Sequence, residues 1–440
     1  MTKTISRLYD NYSDAQAAVT KLETAGVPHS DISIVANNSG GEKSLTYGKT
    51  ENYVQSLKMI LEDGEEYLFE PMTLAELQTK KSLPTVEGDV YRKIFTLVDK
   101  HFEELKAVKP QVSKNSAGYY LWNVYNKEKG TFDLTKLIVG SQGTLGIITE
   151  IKLRLVRPKP HARLLVIFLN DMSLLSSIVS TVLGYKPESF ESYDDHTFTL
   201  AVRLLPQLAR RLGASIFSIG WRFLSEIRMV YLGGVPKLVL LAEFAAATEE
   251  EALAQAKQAE EALKAYGLQT KITRSEQEAE KYWVVRRESF NLLRQHVSGM
   301  RTVPFIDDFI VRPEHLPKFL PQLYALLDRY PLIYTIAGHV GDGDFHIIPL
   351  MDMTKRESVD VIKKLGREVY ELVFQYKGSM TGEHNDGLIR GPYLSMMYGE
   401  KVYSLFQETK EIFDPLGIFN PGKKVNVNMS FALAHMAQTN

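Results

Sequence analysis

Lys237-Leu238-Val239-Leu240-Leu241-Ala242-Glu243-Phe244 is a run of mostly apolar residues that reads as a buried strand, and the residues just after it decide the fold. Thr248 stands at an N-cap position, with Glu251 in the capping-box place three residues later. Leu253, Ala256, Ala259 and Leu263 mark the buried side of a helix. Gly267 stops that helix, and residues 270–273 form the returning strand. Outward from this unit lie a strand at 164–169, a helix over about 275–296, and strands near 305–311, 334–339 and 345–349, with a helix before the middle one. Strands and helices in this order predict an α+β fold of ferredoxin-like type, an antiparallel sheet with helices on one face.

Toward the N-terminus, residues 54–71 alternate apolar with polar around Asp63-Gly64, the pattern of a hairpin. A helical stretch covers about 89–108, and residues 134–156 read as a strand, a Gly-rich loop and a second strand ending at Pro158. The first residues form a strand–helix–strand unit: a strand at 4–9, a helix capped by Ser13 with Gln16 and stopped by Gly26, and a strand at 32–36. At the other end, residues 401–413 form an amphipathic helix with Val402, Leu405, Phe406, Thr409 and Phe413 on one side. The tail after Val427 reads as loose.

Composition excludes several functions. There are 52 basic and 53 acidic residues, too even a balance for a protein that coats nucleic acid. The chain has no cysteine, which removes disulfides, zinc–thiolate sites, cysteine-ligated iron–sulfur clusters and a cysteine nucleophile. No run of about 18 uncharged apolar residues occurs; the nearest approach, 216–239, is broken by Arg222, Glu226, Arg228 and Lys237. The opening residues lack the apolar core of a secretion signal, so the expected compartment is the cytoplasm.

Three motifs carry chemistry. Gly140-Ser141-Gln142-Gly143-Thr144-Leu145-Gly146-Ile147 puts three glycines between two β-type segments. Glycine lets backbone N–H groups approach a phosphate, although a plain strand-to-strand turn would need the same residues. The spacing does not match the nicotinamide fingerprint. His339-Val340-Gly341-Asp342-Gly343-Asp344-Phe345-His346 separates two histidines by six residues. A bend at Gly341 and Gly343 would bring both rings to one point, as zinc or a similar divalent ion requires; a surface turn with incidental histidines is the alternative. Thr381-Gly382-Glu383-His384-Asn385-Asp386-Gly387 offers a carboxylate, Glu383, and a general base, His384, unless it is a helix-capping cluster. Gly40-Gly41-Glu42-Lys43-Ser44 is not a Walker A loop, because Glu42 interrupts it.

Taken together, GSQGTLGIITEIKLRL at 140–155, GHVGDGDFH at 338–346, TGEHNDG at 381–387 and IFDPLGIFNPGK at 412–423 resemble the FAD-linked oxidases of the vanillyl-alcohol-oxidase (PCMH-type) superfamily. The resemblance is to its D-lactate/glycolate/2-hydroxyglutarate dehydrogenase branch, and it covers about residues 36–424. It implies a partial PCMH-type FAD-binding domain at 37–158, an α+β cap carrying the substrate site at 159–400, and a C-terminal helix and loop at 401–426 that return to the flavin domain. By resemblance, Asn38, Gly40 and Gly41 lie against the flavin. Gly140, Ser141, Gly143, Thr144, Gly146 and Ile147 hold the adenosine–pyrophosphate side, and Asn420 lies near the isoalloxazine. His339, His346 and Glu383 match the ligands of a divalent metal, His384 the base, and Arg286 (or its neighbour Arg287) the arginine for the substrate carboxylate.

The family reaction is oxidation of a D-2-hydroxy acid to the 2-oxo acid, with hydride passing to FAD. With no cluster of its own, the chain needs a quinone, an electron-transfer flavoprotein or an iron–sulfur subunit as acceptor. Residues 1–36 instead resemble a bacterial general-stress domain. They stand where the family carries a Gly-rich pyrophosphate loop, so weak FAD binding is expected of the chain as given. Two other readings compete with the dehydrogenase: a catalytically impaired remnant, or a membrane-surface or stress-response protein. The latter rests on Arg203, Arg210, Arg211, Arg222 and Arg228 among apolar residues, a pattern that a helical insertion packed on the cap would also explain.

Overall fold

The structure, a computed structural model, describes residues 41–195, 197–199, 234–296 and 299–436. The unit expected at 1–36 and the arginines at 203–228 lie outside the described residues.

Two large hydrophobic cores organise what is described. The first surrounds a three-stranded antiparallel sheet, β2-β1-β6, formed by β1 (Val54–Ile60), β2 (Glu66–Phe69) and β6 (Ile147–Leu153). Gly64, at φ 80°, turns β1 back into β2, so that Leu57 pairs with Phe69 and Ile60 with Glu66. A second small sheet joins β3 (Met72–Thr73), β5 (Thr131–Phe132) and β4 (Tyr125–Asn126). Helices α1 (Leu74–Lys81), α2 (Val86–Lys100) and α3 (Phe102–Val108) come after β3. The single helix expected at 89–108 is therefore two, broken at His101. Val90, Tyr91, Ile94, Leu97 and Val98 form the buried stripe of α2. The strand expected just before the Gly-rich loop is a helical turn, Thr135–Ile138, with Leu137 and Ile138 buried in this core.

The second core lies on an antiparallel eight-stranded sheet of order β10-β7-β9-β8-β13-β14-β11, with β12 also paired to β14. Its strands are β7 (His161–Leu169), β8 (Ser189–Asp194), β9 (Leu238–Ala246), β10 (Gln269–Ile272), β11 (Arg301–Thr302), β12 (Phe309–Ile310), β13 (Ile333–His339) and β14 (Asp344–Met351). Helices α4 (Leu175–Gly184), α5 (Glu249–Leu263), α7 (Leu316–Leu327) and α8 (Arg356–Gln375) cover one face, reached by Leu165, Ile167 and Leu169 of β7. The Thr248–Glu251 capping box at the start of α5 is present.

The expectation of helices on one face alone is not met. Leu164, Val166 and Phe168 point to the opposite face, where Tyr282, Trp283 and Val285 of α6 (Glu276–His296) bury them. An unbroken apolar run such as 164–169 needs cover on both sides, because successive side chains alternate across the sheet. The strand expected at 305–311 shrinks to two residues, β12.

The last long helical segment, α9 (Leu394–Phe413), is interrupted at Gly399, where φ 79° and ψ 155° are not helical, and its second part returns to the first core through Val402, Leu405, Phe406 and Phe413. The tail is not wholly loose: Asn428 caps a short helix, α10 (Met429–Ala434), by accepting from Ser430 and Phe431.

Candidate active site

The site lies on the α6 side of the large sheet. His339 ends β13 and pairs with Asp344, the first residue of β14; His346, two residues on, shares the face of Asp344. The chain reverses between the histidines, so residues seven positions apart meet on one side. Gly343 makes the reversal possible: at φ 77°, a Cβ there would come 1.9 Å from the Val311 carbonyl oxygen. On the other flank of β13, Ala337 pairs with Tyr193 and Gly338 with Ser192, which brings Glu191 of β8 beside His339.

A loop supplies the third side. The Asp308 carboxylate accepts the backbone N–H of Glu383 at 3.1 Å and of His384 at 2.8 Å, and also the Thr381 hydroxyl. Neighbouring residues would diverge on a strand, but this loop, with Asn385 at φ 67°, lets both Glu383 and His384 reach the site.

His339 Nε2 is 3.3 Å from Glu383 Oε1, while its Nδ1 meets Glu191 Oε1 at 2.7 Å. The His346 ring lies 5.2 Å from that of His339 and stacks 5.1 Å from that of His384. Ligand atoms of His339, Asp344, His346 and Glu383 all fall within 4.8 Å of one another, and so do those of Asp308, His346, Glu383 and His384. These donors suit a divalent ion. Asp344 Oδ1 is buried without a partner, and the outward nitrogens of His339 and His346 rest on Glu191 and Asp307, as metal-binding histidines require.

The charges are strongly coupled. Burial acts against the charged imidazole of His339, but Glu191 and Glu383 outweigh it and raise its pKa to about 10. For His384 burial again opposes the charge, and Asp307 and Asp308 prevail, raising it to about 9. Burial, and then Asp308, push Asp344 up to about 7. Burial would raise Glu383, but His339 and Lys114 hold it well below the usual carboxylate range. His384 keeps 43% of its side chain exposed, so its ring is open to solvent.

Arg286 reaches this face from α6 but is engaged already. It pairs with Glu191, lies 3.3 Å from His339 Nδ1, and meets Glu42 Oε1 at 3.1 Å. Glu42 also clamps Arg287 at 2.9 and 2.6 Å. As placed, Arg286 is a partner of Glu191 rather than an open anion receptor.

The Gly-rich loop is a separate feature of the first core. Ser141 and Thr144 are buried, and Thr144 Oγ1 bonds to the Ser141 carbonyl at 2.6 Å and the Tyr119 hydroxyl at 2.5 Å. The Thr144 hydroxyl ties the loop from inside. A Cβ on Gly146 would sit 2.7 Å from the Ile60 carbonyl, whereas one on Gly143 would meet nothing within 4 Å. Ile147 is exposed, and Asn420 donates to the Gln142 carbonyl at 2.8 Å. The Gln142 side chain accepts from Gly387 N at 3.2 Å, so the loop after His384 adjoins this surface. An open glycine backbone beside Asn420 and an exposed isoleucine fits a phosphate-bearing planar cofactor such as FAD. Gly140 opens this loop; Gly41 precedes the short helix Ser44–Tyr47, and Asn38 and Gly40 lie outside the described residues.

Glu191, Asp307, Asp308, Asp344 and Lys114 join the site without having been expected there from the sequence. Two signals were available: Asp344 shares the period-2 face of His346, and Asp307-Asp308 is an acidic pair amid apolar residues. Glu191 and Lys114 carry none, since register and a long-range loop contact place them.

The chain is similar to several known proteins. The chain is 28% identical over 406 residues to D-2-hydroxyglutarate dehydrogenase of Pantoea ananatis, a match covering 89% of this chain and 37% of that protein. It is 24% identical to glycolate oxidase subunit GlcD of Bacillus subtilis, covering 88% and 66% of the two chains. The chain thus spans little more than a third of the length of the D-2-hydroxyglutarate dehydrogenase from Pantoea. A solved 4-ethylphenol oxidase from Gulosibacter chungangensis shares the fold at a TM-score of 0.55 and 13% identity, covering 95% of this chain and 76% of the other. Residues 158–424, which hold the histidine hairpin, the Glu383–His384 loop and Asn420, match the C-terminal domain of FAD linked oxidases, and the chain belongs to that family.

Proposed function

We propose that the protein oxidises a small D-2-hydroxy acid to its 2-oxo acid. The observation that carries this is the meeting of His339, His346 and Glu383 at one point with the exposed imidazole of His384 beside them. The names of the D-2-hydroxyglutarate dehydrogenase and glycolate oxidase relatives supply the substrate class.

FAD, when bound, supplies the acceptor for the hydride of the substrate α-carbon. Gly143, Ile147 and Asn420 are exposed and would face it, while Gly140 and Gly146 are buried in the loop with Ser141 and Thr144. His339, His346 and Glu383 would hold a divalent ion, which would supply Lewis acidity toward the substrate hydroxyl. His384 takes the hydroxyl proton. Its Nδ1 is fixed on Asp307, 3.1 Å away, so Nε2 is the nitrogen left to accept. It must be neutral to do so, and a nearby dication would lower its raised pKa in that direction. Electrons leave to a separate acceptor such as a quinone, an electron-transfer flavoprotein or an iron–sulfur subunit. Peripheral membrane contact and a cytoplasmic setting belong to the same proposal.

The test is flavin and metal content on one purified sample, with turnover of D-lactate, glycolate and D-2-hydroxyglutarate by an artificial electron acceptor. No oxidation of any of the three, by protein loaded with both FAD and metal, would sink it.

A further inference from the structure

A lysine already stands among the carboxylates of the site. Lys114 comes from a loop of the first core, its side chain only 2% exposed, and lies 2.5 Å from Glu383 Oε1, 3.1 Å from Asp342 Oδ2 and 3.5 Å from Asp344 Oδ2. Its neighbours in the loop are hydrogen-bonded to the site on both sides. Ser113 Oγ reaches the Asp342 carbonyl at 3.4 Å, and Ser116 bonds through N to Thr381 O and through Oγ to Gly382 O, both at 2.9 Å.

We propose that Lys114 is the built-in countercation of this centre, and that it opposes the divalent ion and sets how tightly the ion is held. Glu383 Oε1 is the same oxygen that faces His339 Nε2 at 3.3 Å, so the ammonium and an incoming ion compete for one carboxylate atom. A positive charge a few ångströms from a dication repels it, and burial leaves that repulsion poorly screened. The same charge keeps three buried carboxylates together when no ion is present, where they would otherwise repel one another. Lys114 is a positioning residue in this account. The account rests on reading His339, His346 and Glu383 as metal ligands.

The experiment is equilibrium dialysis of Mn²⁺ against the full-length chain and its Lys114→Met and Lys114→Arg variants, with melting in EDTA and in Mn²⁺. Lys114→Met should bind Mn²⁺ about tenfold tighter or more. It should melt lower than wild type in EDTA and regain more on adding Mn²⁺. Lys114→Arg, which keeps the charge, should stay near wild type. If Lys114→Met does not fold, Lys114→Gln removes the charge, keeps a donor toward Glu383, and is read by the same criteria. Equal or weaker Mn²⁺ binding by the neutral variant, with wild type binding normally, overturns the Lys114 proposal alone. No binding by any of the chains overturns the metal-site reading and the proposal with it.

Discussion

Asp307 Oδ2 lies 3.1 Å from His384 Nδ1, and the other oxygen of the same carboxylate meets His346 Nδ1 at 3.0 Å. One buried carboxylate therefore orients both a metal-ligand candidate and the proposed base. Burial disfavours its charge, but the two imidazoles hold its pKa far below the ordinary value. The backbone carbonyl of Asp307 lies 3.4 Å from buried Arg390 Nη1.

Asp307→Asn should weaken divalent-ion binding by roughly 10- to 100-fold, the usual cost of losing the partner of a metal-binding histidine. An amide presents one acceptor and one donor, so it cannot receive both Nδ1–H groups. Titration with Mn²⁺ measures the loss, and circular dichroism checks that the fold persists. Unchanged affinity in a folded variant would show that Asp307 does not orient His346.

Ligand and base should separate by mutation. His339→Ala, His346→Ala and Glu383→Ala should each lose the metal on dialysis, because each removes a donor from a tight cluster. His384→Gln should keep the metal and lower turnover of a D-2-hydroxy acid by a factor on the order of 100. Metal analysis of the four dialysed proteins gives the first result and steady-state rates the second. A His384→Gln protein with normal turnover would assign the base elsewhere.

Without metal, the raised pKa values fix a pH dependence. His339 and His384 titrate at about 10 and about 9 in the folded chain, against about 6.5 when unfolded. The folded state therefore holds their protons more tightly. The resulting stability is complete below about pH 6.5 and is lost as pH rises through 9 and 10. In EDTA, the melting temperature should fall between pH 7 and pH 10, and less steeply in His384→Gln than in wild type. Parallel curves for the two proteins would mean that His384 is not held charged by Asp307.

Much of this was legible because local pattern and tertiary outcome agree. The Thr248–Glu251 box starts α5, Asp63-Gly64 turns the first hairpin, and the apolar run at 164–169 is a central strand. Sequence pattern and structure part where a local pattern has two outcomes. The short apolar stretch before the Gly-rich loop suits a strand or a helical turn equally, and it became Thr135–Ile138. The site divides in the same way. His339, His346, Glu383 and His384 announce themselves by residue type, whereas Glu191 depends on the register of β8 against β13. Lys114 depends on a contact 269 residues away in sequence. No periodicity encodes contacts of that range.

Glu42 gives the last prediction. Its Oε1 lies 2.9 Å from Arg287 Nε and 3.1 Å from Arg286 Nη1, and its Oε2 lies 2.6 Å from Arg287 Nη2. Burial raises a carboxyl group, but Arg287 and Arg286 outweigh it here and lower the Glu42 pKa, so the contact is ionic. This carboxylate occupies the arginine pair that a substrate carboxylate would use if either arginine is its receptor. Substrate must then displace Glu42, and the strength of that grip enters KM rather than the chemical step. Glu42→Gln replaces charge-assisted hydrogen bonds with neutral ones, a loss of about 1 kcal/mol. It should therefore lower KM for a D-2-hydroxy acid by about fivefold at unchanged kcat. Initial rates over a range of substrate concentrations decide it. A raised KM would mean that Glu42 holds the arginines in their working position instead of competing for them.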